Sequence, residues 1–207
     1  MAENHPVGFQ WVMEARERGA KIIHVDPRFT RTSAMADIWV PLRAGSDIVL
    51  LGALIRYVLE NNKDFREYVV HYTNAPAVLR DDFKDTEDLD GFFSGWDAEK
   101  KKYKPDTWLY KGAPKKKGPT PGHHAAGGGH GKDRGGEAQE TTQFEWDTSL
   151  QNAQCVYQVL KRHFSRYTPE MVERACGIPQ DLFFKLAEAF TSASGPDKTA
   201  AVCYAVG

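Results

Sequence analysis

The stretch KIIHVDPRFTRTS, residues 21–33, places an acid, a proline and an arginine directly after an apolar run. A carboxylate such as that of Asp26 accepts hydrogen bonds from ribose hydroxyls, or from the ring N–H and exocyclic amine of guanine. Pro27 fixes the backbone of a turn, and the planar guanidinium of Arg28 suits a phosphate or a base face. These three residues are therefore candidates for binding a nucleotide. A polar turn with an exposed ion pair is the alternative, and the motif alone leaves it open.

Gly45, Ser46 and Asp47 form a second candidate group, because they open a strongly helical stretch. Glycine lets the backbone approach a ligand closely, and the first N–H groups of a helix attract anions. The Asp47 carboxylate suits a purine edge, as Asp26 does. The alternative is ordinary helix capping, with Ser46 as the N-cap.

Glu3 and His5 are a third candidate pair, because they precede a predicted helix at the point where the strand before it would end. Terminal residues without fixed structure are the alternative.

The histidines at 123, 124 and 130 resemble a metal-binding tract. They lie in a Gly/Pro/Lys-rich segment with no rigid frame to fix coordination, so we predict no functional metal site there.

Cys155, Cys176 and Cys203 are widely spaced and form no CxxC pair. We therefore expect buried free thiols and neither a zinc nor an iron–sulfur site from this chain alone. No nucleophile stands beside a base, so the sequence indicates no catalytic residue. The 27 basic and 28 acidic residues nearly cancel, and this balance argues against nucleic acid as a partner.

Apolar periodicity predicts alternating helices and strands. The predicted elements are a helix at 6–18, strands at 20–25 and 38–42, a helix from Asp47, helical segments between 156 and 193, and a strand at 198–206. This order predicts an α/β fold with a parallel sheet flanked by helices. Because parallel strands end at the same edge of a sheet, Asp26 and Asp47 are expected to lie near each other.

Composition divides the chain into three parts. Residues 1–80 form the α/β nucleotide-binding part, 81–148 an insert, and 149–207 a helical segment that returns to a sheet strand. Within the insert we predict a hairpin at 92–110 and a disordered low-complexity segment at 111–143. The first helix has no strand before it and the last strand runs directly into Gly207, so the sheet is expected to be incomplete at both ends.

Two long segments resemble the catalytic subunits of molybdenum- or tungsten-dependent formate dehydrogenases, in the molybdopterin (DMSO reductase) superfamily. They are AENHPVGFQWVMEARERGAKIIHVDPRFTRTSAMADIWVPLRAGSDIVLLGAL and HFSRYTPEMVERACGIPQDLFFKLAEAF, followed by KTAAVCYAVG. The segments YVVHYTNAPAVLRDDF and FFSGWDAEKKKYKPDTWLY are most similar to the respiratory type. The resemblance covers roughly three quarters of the chain and fails in the low-complexity segment.

The resemblance implies a Rossmann-like domain that binds bis-molybdopterin guanine dinucleotide, with molybdenum or tungsten. By position, the Glu3 region matches a loop that touches one dinucleotide. Asp26 and Arg28, with Pro27 between them, match the Asp-Pro-Arg that holds its guanosine end. The segment 45–47 matches the next nucleotide-binding loop, and Gly207 begins a further loop near the cofactor.

The family's cysteine cluster for a 4Fe–4S centre and its selenocysteine or cysteine metal ligand are missing from this sequence. The resemblance therefore implies an internal fragment of a formate dehydrogenase that is inactive by itself. Implied partners are the rest of the catalytic subunit, an iron–sulfur electron-transfer subunit and a membrane cytochrome b subunit.

The resemblance to the respiratory type implies a role in anaerobic respiration at the periplasmic side of the inner membrane, with an export signal outside this chain. Other types are cytoplasmic. Two alternatives stay open on the sequence: a molybdopterin oxidoreductase of the nitrate or arsenate type, and a non-catalytic nucleotide-binding α/β module.

Overall fold

The computed structural model describes residues 1–113, 144–195 and 197–204. The chain forms two compact units, one made of Met1–Asp64 with Phe164–Gly207 and the other of Phe65–His163. The division at about residues 80 and 148 that the sequence indicates stays a prediction.

Helices and short strands alternate along the first part of the chain, as predicted. In chain order the elements are α1 (Pro6–Glu17), β1 (Ile23–Val25), α2 (Arg31–Met35), β2 (Ile38–Val40), α3 (Asp47–Glu60), α4 (Arg66–Tyr72), β3 (Trp96–Asp97), β4 (Lys102–Tyr103), α5 (Val156–Phe164), α6 (Pro169–Cys176) and α7 (Gln180–Ser192). Two 3₁₀ turns, Thr86–Asp88 and Pro105–Trp108, lie in the second unit. Among the described residues, no helix combines the length and the hydropathy that crossing a membrane requires.

The strands β1 and β2 pair in parallel, with Ile23 opposite Ile38 and Val25 opposite Val40. Mixed α/β structure with a parallel strand pair is therefore present, as the alternating pattern predicts. The described sheet has two strands, so a larger Rossmann-like sheet stays a prediction.

The strand predicted at 198–206 is wrong over its described part. Residues 199–204 adopt no regular secondary structure, and Lys198 makes one isolated bridge with Gly195. Val202 and Tyr204 are 71% and 81% exposed. A strand needs a neighbour to satisfy its backbone N–H and C=O groups, and no described strand pairs with this segment. Gly207 lies outside the described residues, as does most of the low-complexity segment, 114–143.

The core of the first unit lies between β2 and the helices α3, α6 and α7. Its buried residues are Ile38, Val40, Leu42, Leu50, Ala53, Val172, Cys176, Ile178, Phe183, Leu186 and Ala187. Burying a side chain such as Phe183, which is 1% exposed, contributes roughly 1.5–3 kcal/mol of hydrophobic free energy. This packing holds the first turn of α3, and with it the loop after β2, against the other helices.

The ends of α6 follow their sequence signals. Thr168 accepts a hydrogen bond from the Met171 N–H at 3.2 Å, Pro169 occupies the first helical position, and Gly177 ends the helix with φ of 73°. The residue types at these positions predict a cap, a first-turn proline and a helix stop, because each satisfies a need of the helix terminus.

The second unit contains an antiparallel hairpin in which Trp96 pairs with Tyr103 and Asp97 with Lys102. The hairpin lies within the segment where the sequence predicts one.

Of the cysteines, Cys155 and Cys176 are buried free thiols, as expected, whereas Cys203 is exposed. The exposed position follows from the absence of a strand at 199–204, since that segment packs against no described sheet.

Candidate functional site

The carboxyl edge of the strand pair brings the two predicted nucleotide loops together. The register places Asp26 and Pro41 directly after the paired residues Val25 and Val40. The Asp26 N–H donates to the Val40 carbonyl at 3.2 Å, which extends the pairing by one residue. The loop that carries Asp26 and the loop that leads to α3 therefore leave the sheet at the same edge, as the sequence predicts.

Asp26 forms a tight turn in which both carboxylate oxygens have neighbours. Its Oδ1 accepts from the Arg28 N–H at 2.7 Å, and its Oδ2 lies 3.7 Å from His24 Nε2. The Asp26 carbonyl accepts from the Trp39 indole N–H at 3.1 Å, and the Phe29 ring packs edge-on against Trp39. The backbone of the turn is thus fixed by both strands, and the Arg28 side chain extends from it into solvent.

His24, on β1, stabilises this turn through its contacts with Ser33 and Asp26. Its Nδ1 shares a hydrogen bond of 2.9 Å with the buried Ser33 hydroxyl, which also accepts from the Thr30 N–H at 2.8 Å. Burial lowers the pKa of His24, while the nearby Asp26 carboxylate acts in the opposite direction. Because burial is the larger effect, the imidazole is neutral near pH 7 and serves as a hydrogen-bonding support rather than a charge.

Glu3 lies beside the same loop. Its Oε1 is 3.4 Å from Arg31 Nε, and the Ala2 N–H donates to Thr32 Oγ1 at 3.0 Å. The N-terminal residues therefore rest on the start of α2, which follows the Asp26 turn. The structure brings Glu3 to the predicted site, while His5 is the N-cap residue of α1 and makes no side-chain capping bond.

The loop between β2 and α3 is anchored from behind by Arg43. The guanidinium donates to the carbonyls of Arg174 and Ala175, both at 3.0 Å, at the C-terminal end of α6. Gly45 has φ of 81°, a left-handed conformation that favours glycine. The loop is therefore held in one conformation before α3 begins.

Ser46 does not cap α3 through its side chain, which corrects the prediction. It occupies the N-cap position, yet its hydroxyl donates backwards to the Arg43 carbonyl at 2.5 Å. Because the ψ of Ser46 is 12° rather than extended, its hydroxyl does not reach the helix N–H groups. Within the described part of the chain, the positive end of α3 is consequently left without a side-chain capping bond.

Several groups at this edge are available to a ligand. The side chains of Arg28 and Asp47 are exposed and have no hydrogen bond or ion pair with any residue that the structure describes. Apart from its chain neighbours, no described residue has a heavy atom within 4 Å of a Cβ built at Gly45, so the space beside its Cα is open there. A cation, a carboxylate and a free helix N-terminus together can bind a ligand that carries phosphate groups and N–H donors.

Three residues that matter here were not predicted from the sequence. Trp39 and Ser33 hold the Asp26 turn, and Arg43 anchors the loop before α3. Only Arg43 carries a usable signal, as an arginine two residues before a loop glycine. The contacts of the other two depend on the strand register, which periodicity alone does not specify.

No family model matches the chain. Individual proteins match it along its whole length. It is 44% identical over 207 residues to the nitrate-inducible formate dehydrogenase major subunit of Escherichia coli K12, and 43% identical over 206 residues to the formate dehydrogenase major subunit of Haemophilus influenzae. The chain is related along its whole length to formate dehydrogenase major subunits. A third relative is formate dehydrogenase 2 subunit alpha (cytochrome c-553) of Nitratidesulfovibrio vulgaris, with 35% identity over 206 residues.

The match covers all of this chain but a small part of each relative. The chain spans 17–18% of the length of these formate dehydrogenase subunits. The segment related to formate dehydrogenase thus includes the β1–β2 edge and both of its loops.

Proposed function

We propose that the chain is the part of a formate dehydrogenase catalytic subunit that binds one guanosine end of bis-molybdopterin guanine dinucleotide. The observation that carries the proposal is the shared edge of β1 and β2, where the Asp26 turn and the loop before α3 meet. The relationship to formate dehydrogenase major subunits supports the choice of this cofactor over a free nucleotide.

The side chains at the edge fit the guanosine and phosphate groups of such a cofactor. Asp47 and the Oδ2 atom of Asp26 would accept from guanine or ribose donors, and Arg28 would face a phosphate or the base. The N-terminus of α3 would attract a phosphate, and Gly45 leaves room for it. Glu3, Pro27 and Ser46 would shape the two loops, and Gly207 remains a proposed contact from outside the described residues.

When bound, the cofactor supplies the two-electron oxidation of formate to CO2 at its molybdenum or tungsten. The residues of this chain bind and orient it, and none of them is proposed as a catalytic residue. We therefore expect the 207-residue chain alone to reduce no dye with formate.

The parent enzyme would pass its electrons to iron–sulfur clusters outside this chain. Proposed partners are the rest of the catalytic subunit, an iron–sulfur subunit and a membrane cytochrome b subunit. A respiratory enzyme of this kind would lie at the periplasmic side of the inner membrane. A c-type cytochrome is the other proposed acceptor, since the name of the Nitratidesulfovibrio relative includes cytochrome c-553.

The proposal is tested by substituting the edge in the full-length subunit and measuring metal content and guanine nucleotide released by acid. Asp26→Ala and Asp47→Ala should each lower both quantities. Asp181→Ala, at the exposed start of α7, is the matched control and should leave them unchanged. Because the Asp47 carboxylate has no partner among the described residues, its loss should not disturb folding. Full cofactor content in the Asp47 variant would refute the assignment.

A further inference from the structure

A separate group of ionisable side chains lies within the unit Phe65–His163. Asp85, Glu87 and His163 each offer one potential ligand atom, and these atoms all lie within 4.8 Å of one another. The Glu87 Oε1 atom is 3.7 Å from His163 Nδ1. Asp85 caps the 3₁₀ turn Thr86–Asp88, and His163 belongs to the last turn of α5, so a loop and a helix meet here.

Asp85 differs from the other two members of this group because one of its carboxylate oxygens is buried without a hydrogen-bond partner among the described residues. Asp85 is only 9% exposed, and its Oδ1 accepts a hydrogen bond from the Thr86 N–H at 2.7 Å. Its Oδ2 is buried and has no hydrogen-bond partner among the described residues. A buried carboxylate oxygen left unpaired is costly, so such an atom calls for a bound ion or water.

The group offers donor atoms that suit a cation. Two carboxylates and one imidazole contribute one potential ligand atom each. Glu87 and His163 are each 32% exposed at the side chain, which leaves access for an ion and a water molecule.

We propose that Asp85, Glu87 and His163 bind a divalent transition-metal ion such as Zn²⁺, with two carboxylate oxygens and one imidazole nitrogen as protein ligands. Zinc accepts this donor set, and its bonds of about 2.0–2.2 Å place neighbouring ligand atoms about 3.4 Å apart in a tetrahedron. The 3.7 Å between Glu87 and His163 therefore closes by a few tenths of an ångström. The ion fastens the 3₁₀ turn to α5, and water completes its coordination.

The group is separate from the nucleotide loops, and the sequence does not predict it. The cysteines form no CxxC pair, and the histidines at 123, 124 and 130 lie outside the described residues. Ligands that come from one loop and a helix distant in the sequence have no fixed spacing along the chain, so no sequence motif predicts them. Those three histidines would also bind added metal, so they are replaced by alanine in every protein of the test.

The test is a Zn²⁺ titration of the full 207-residue chain in this background, in competition with a chromophoric chelator. The chain with only the three histidine replacements is called the parent in this test. We expect it to bind one equivalent of Zn²⁺ tightly. Glu87→Gln and His163→Gln should each weaken binding at least about tenfold, because each removes a direct ligand. Glu99→Gln, an exposed acid of the same unit, is the matched control and should bind as the parent does.

Two further readouts separate coordination from folding. Zn²⁺ should raise the thermal midpoint of the parent and of the control but not that of the two ligand variants. Substituted Co²⁺ should give a d–d spectrum that changes in His163→Gln. Asp85→Asn is a third variant, and the partly exposed Glu87 and His163 keep the test decisive if it fails to fold. No bound equivalent in the parent, or equal binding by Glu87→Gln, His163→Gln and the control, would overturn the proposal.

Discussion

The hydroxyl of Ser33 holds together the loop after β1. It shares a hydrogen bond with His24 Nδ1 at 2.9 Å, accepts from the Thr30 N–H at 2.8 Å and lies 3.4 Å from the Arg28 carbonyl. Ser33 is 4% exposed, so water does not replace these bonds when the hydroxyl is removed. The position of Asp26 therefore depends on a residue that does not itself face the ligand.

Ser33→Ala should lower the free energy of unfolding by about 1–3 kcal/mol, because it leaves buried polar groups unpaired. Chemical denaturation of the 207-residue chain measures this change. Ser192→Ala is the matched control, since the Ser192 hydroxyl is exposed at the end of α7 and makes one long contact with the Ala189 carbonyl. A loss no larger than that of the control would mean that Ser33 does not hold the loop.

His24 makes the stability of the first unit depend on pH. Its pKa in the folded chain lies below the ordinary 6.5, because burial disfavours the charged imidazole. The unfolded chain then binds the proton more readily, so protonation favours unfolding. The contribution of His24 to the free energy of unfolding is complete above pH 6.5. It falls as the pH drops through 6.5 towards the lowered pKa of His24 in the folded state. Denaturation at pH 7.5 and 5.5 should show a smaller loss of stability in His24→Asn than in the parent, and equal losses would contradict this.

At the scale of elements, the sequence predicts what depends on local chemistry. The caps of α6 were predictable because Thr168, Pro169 and Gly177 act within one helical turn of their positions. The parallel pairing followed from the alternation of elements. The side-chain role of Ser46 was not predictable, because Arg43 and the carbonyls of α6 set the backbone before α3. The segment 199–204 has the composition of a strand, but composition does not supply the neighbour that a strand requires.

The packing of α3 makes an exception to helix propensity at Gly52. Alanine in a helix interior is ordinarily favoured over glycine by about 1 kcal/mol. A Cβ at Gly52 would lie 2.7 Å from Cγ and Cδ2 of Tyr167, atoms near the base of that side chain. Overpacking of this kind costs about 1–3 kcal/mol, so Gly52→Ala should destabilise the chain despite the better propensity.

Gly8→Ala in α1 is the matched control for this substitution. Its Cβ would meet only Met1 Cε, at 3.9 Å, so propensity should prevail and the thermal midpoint should rise. Gly52→Ala should lower the midpoint, and Gly52→Ala combined with Tyr167→Leu should recover part of the loss. A rise in both single variants would show that Tyr167 moves aside without cost.

At the scale of the whole molecule, the first unit exposes apolar surface on its longest helix. Ile48, Leu51 and Ile55 of α3 are 74%, 54% and 42% exposed and lie on one face, at helical spacings of three and four residues. The opposite face, with Leu50 and Ala53, enters the core. Association of two copies would remove such a stripe from water.

The purified 207-residue chain should therefore self-associate through this stripe. Sedimentation velocity over a range of concentrations should show species larger than the monomer, and Ile48→Gln with Leu51→Gln should return the chain to monomer. Leu160→Gln is the matched control, because Leu160 is a similarly exposed leucine of α5 in the other unit. If the control abolishes association as well as the double variant does, the contact is not specific to α3. If the parent remains monomeric at every concentration, the stripe is stable in water, and covering it is not needed for solubility.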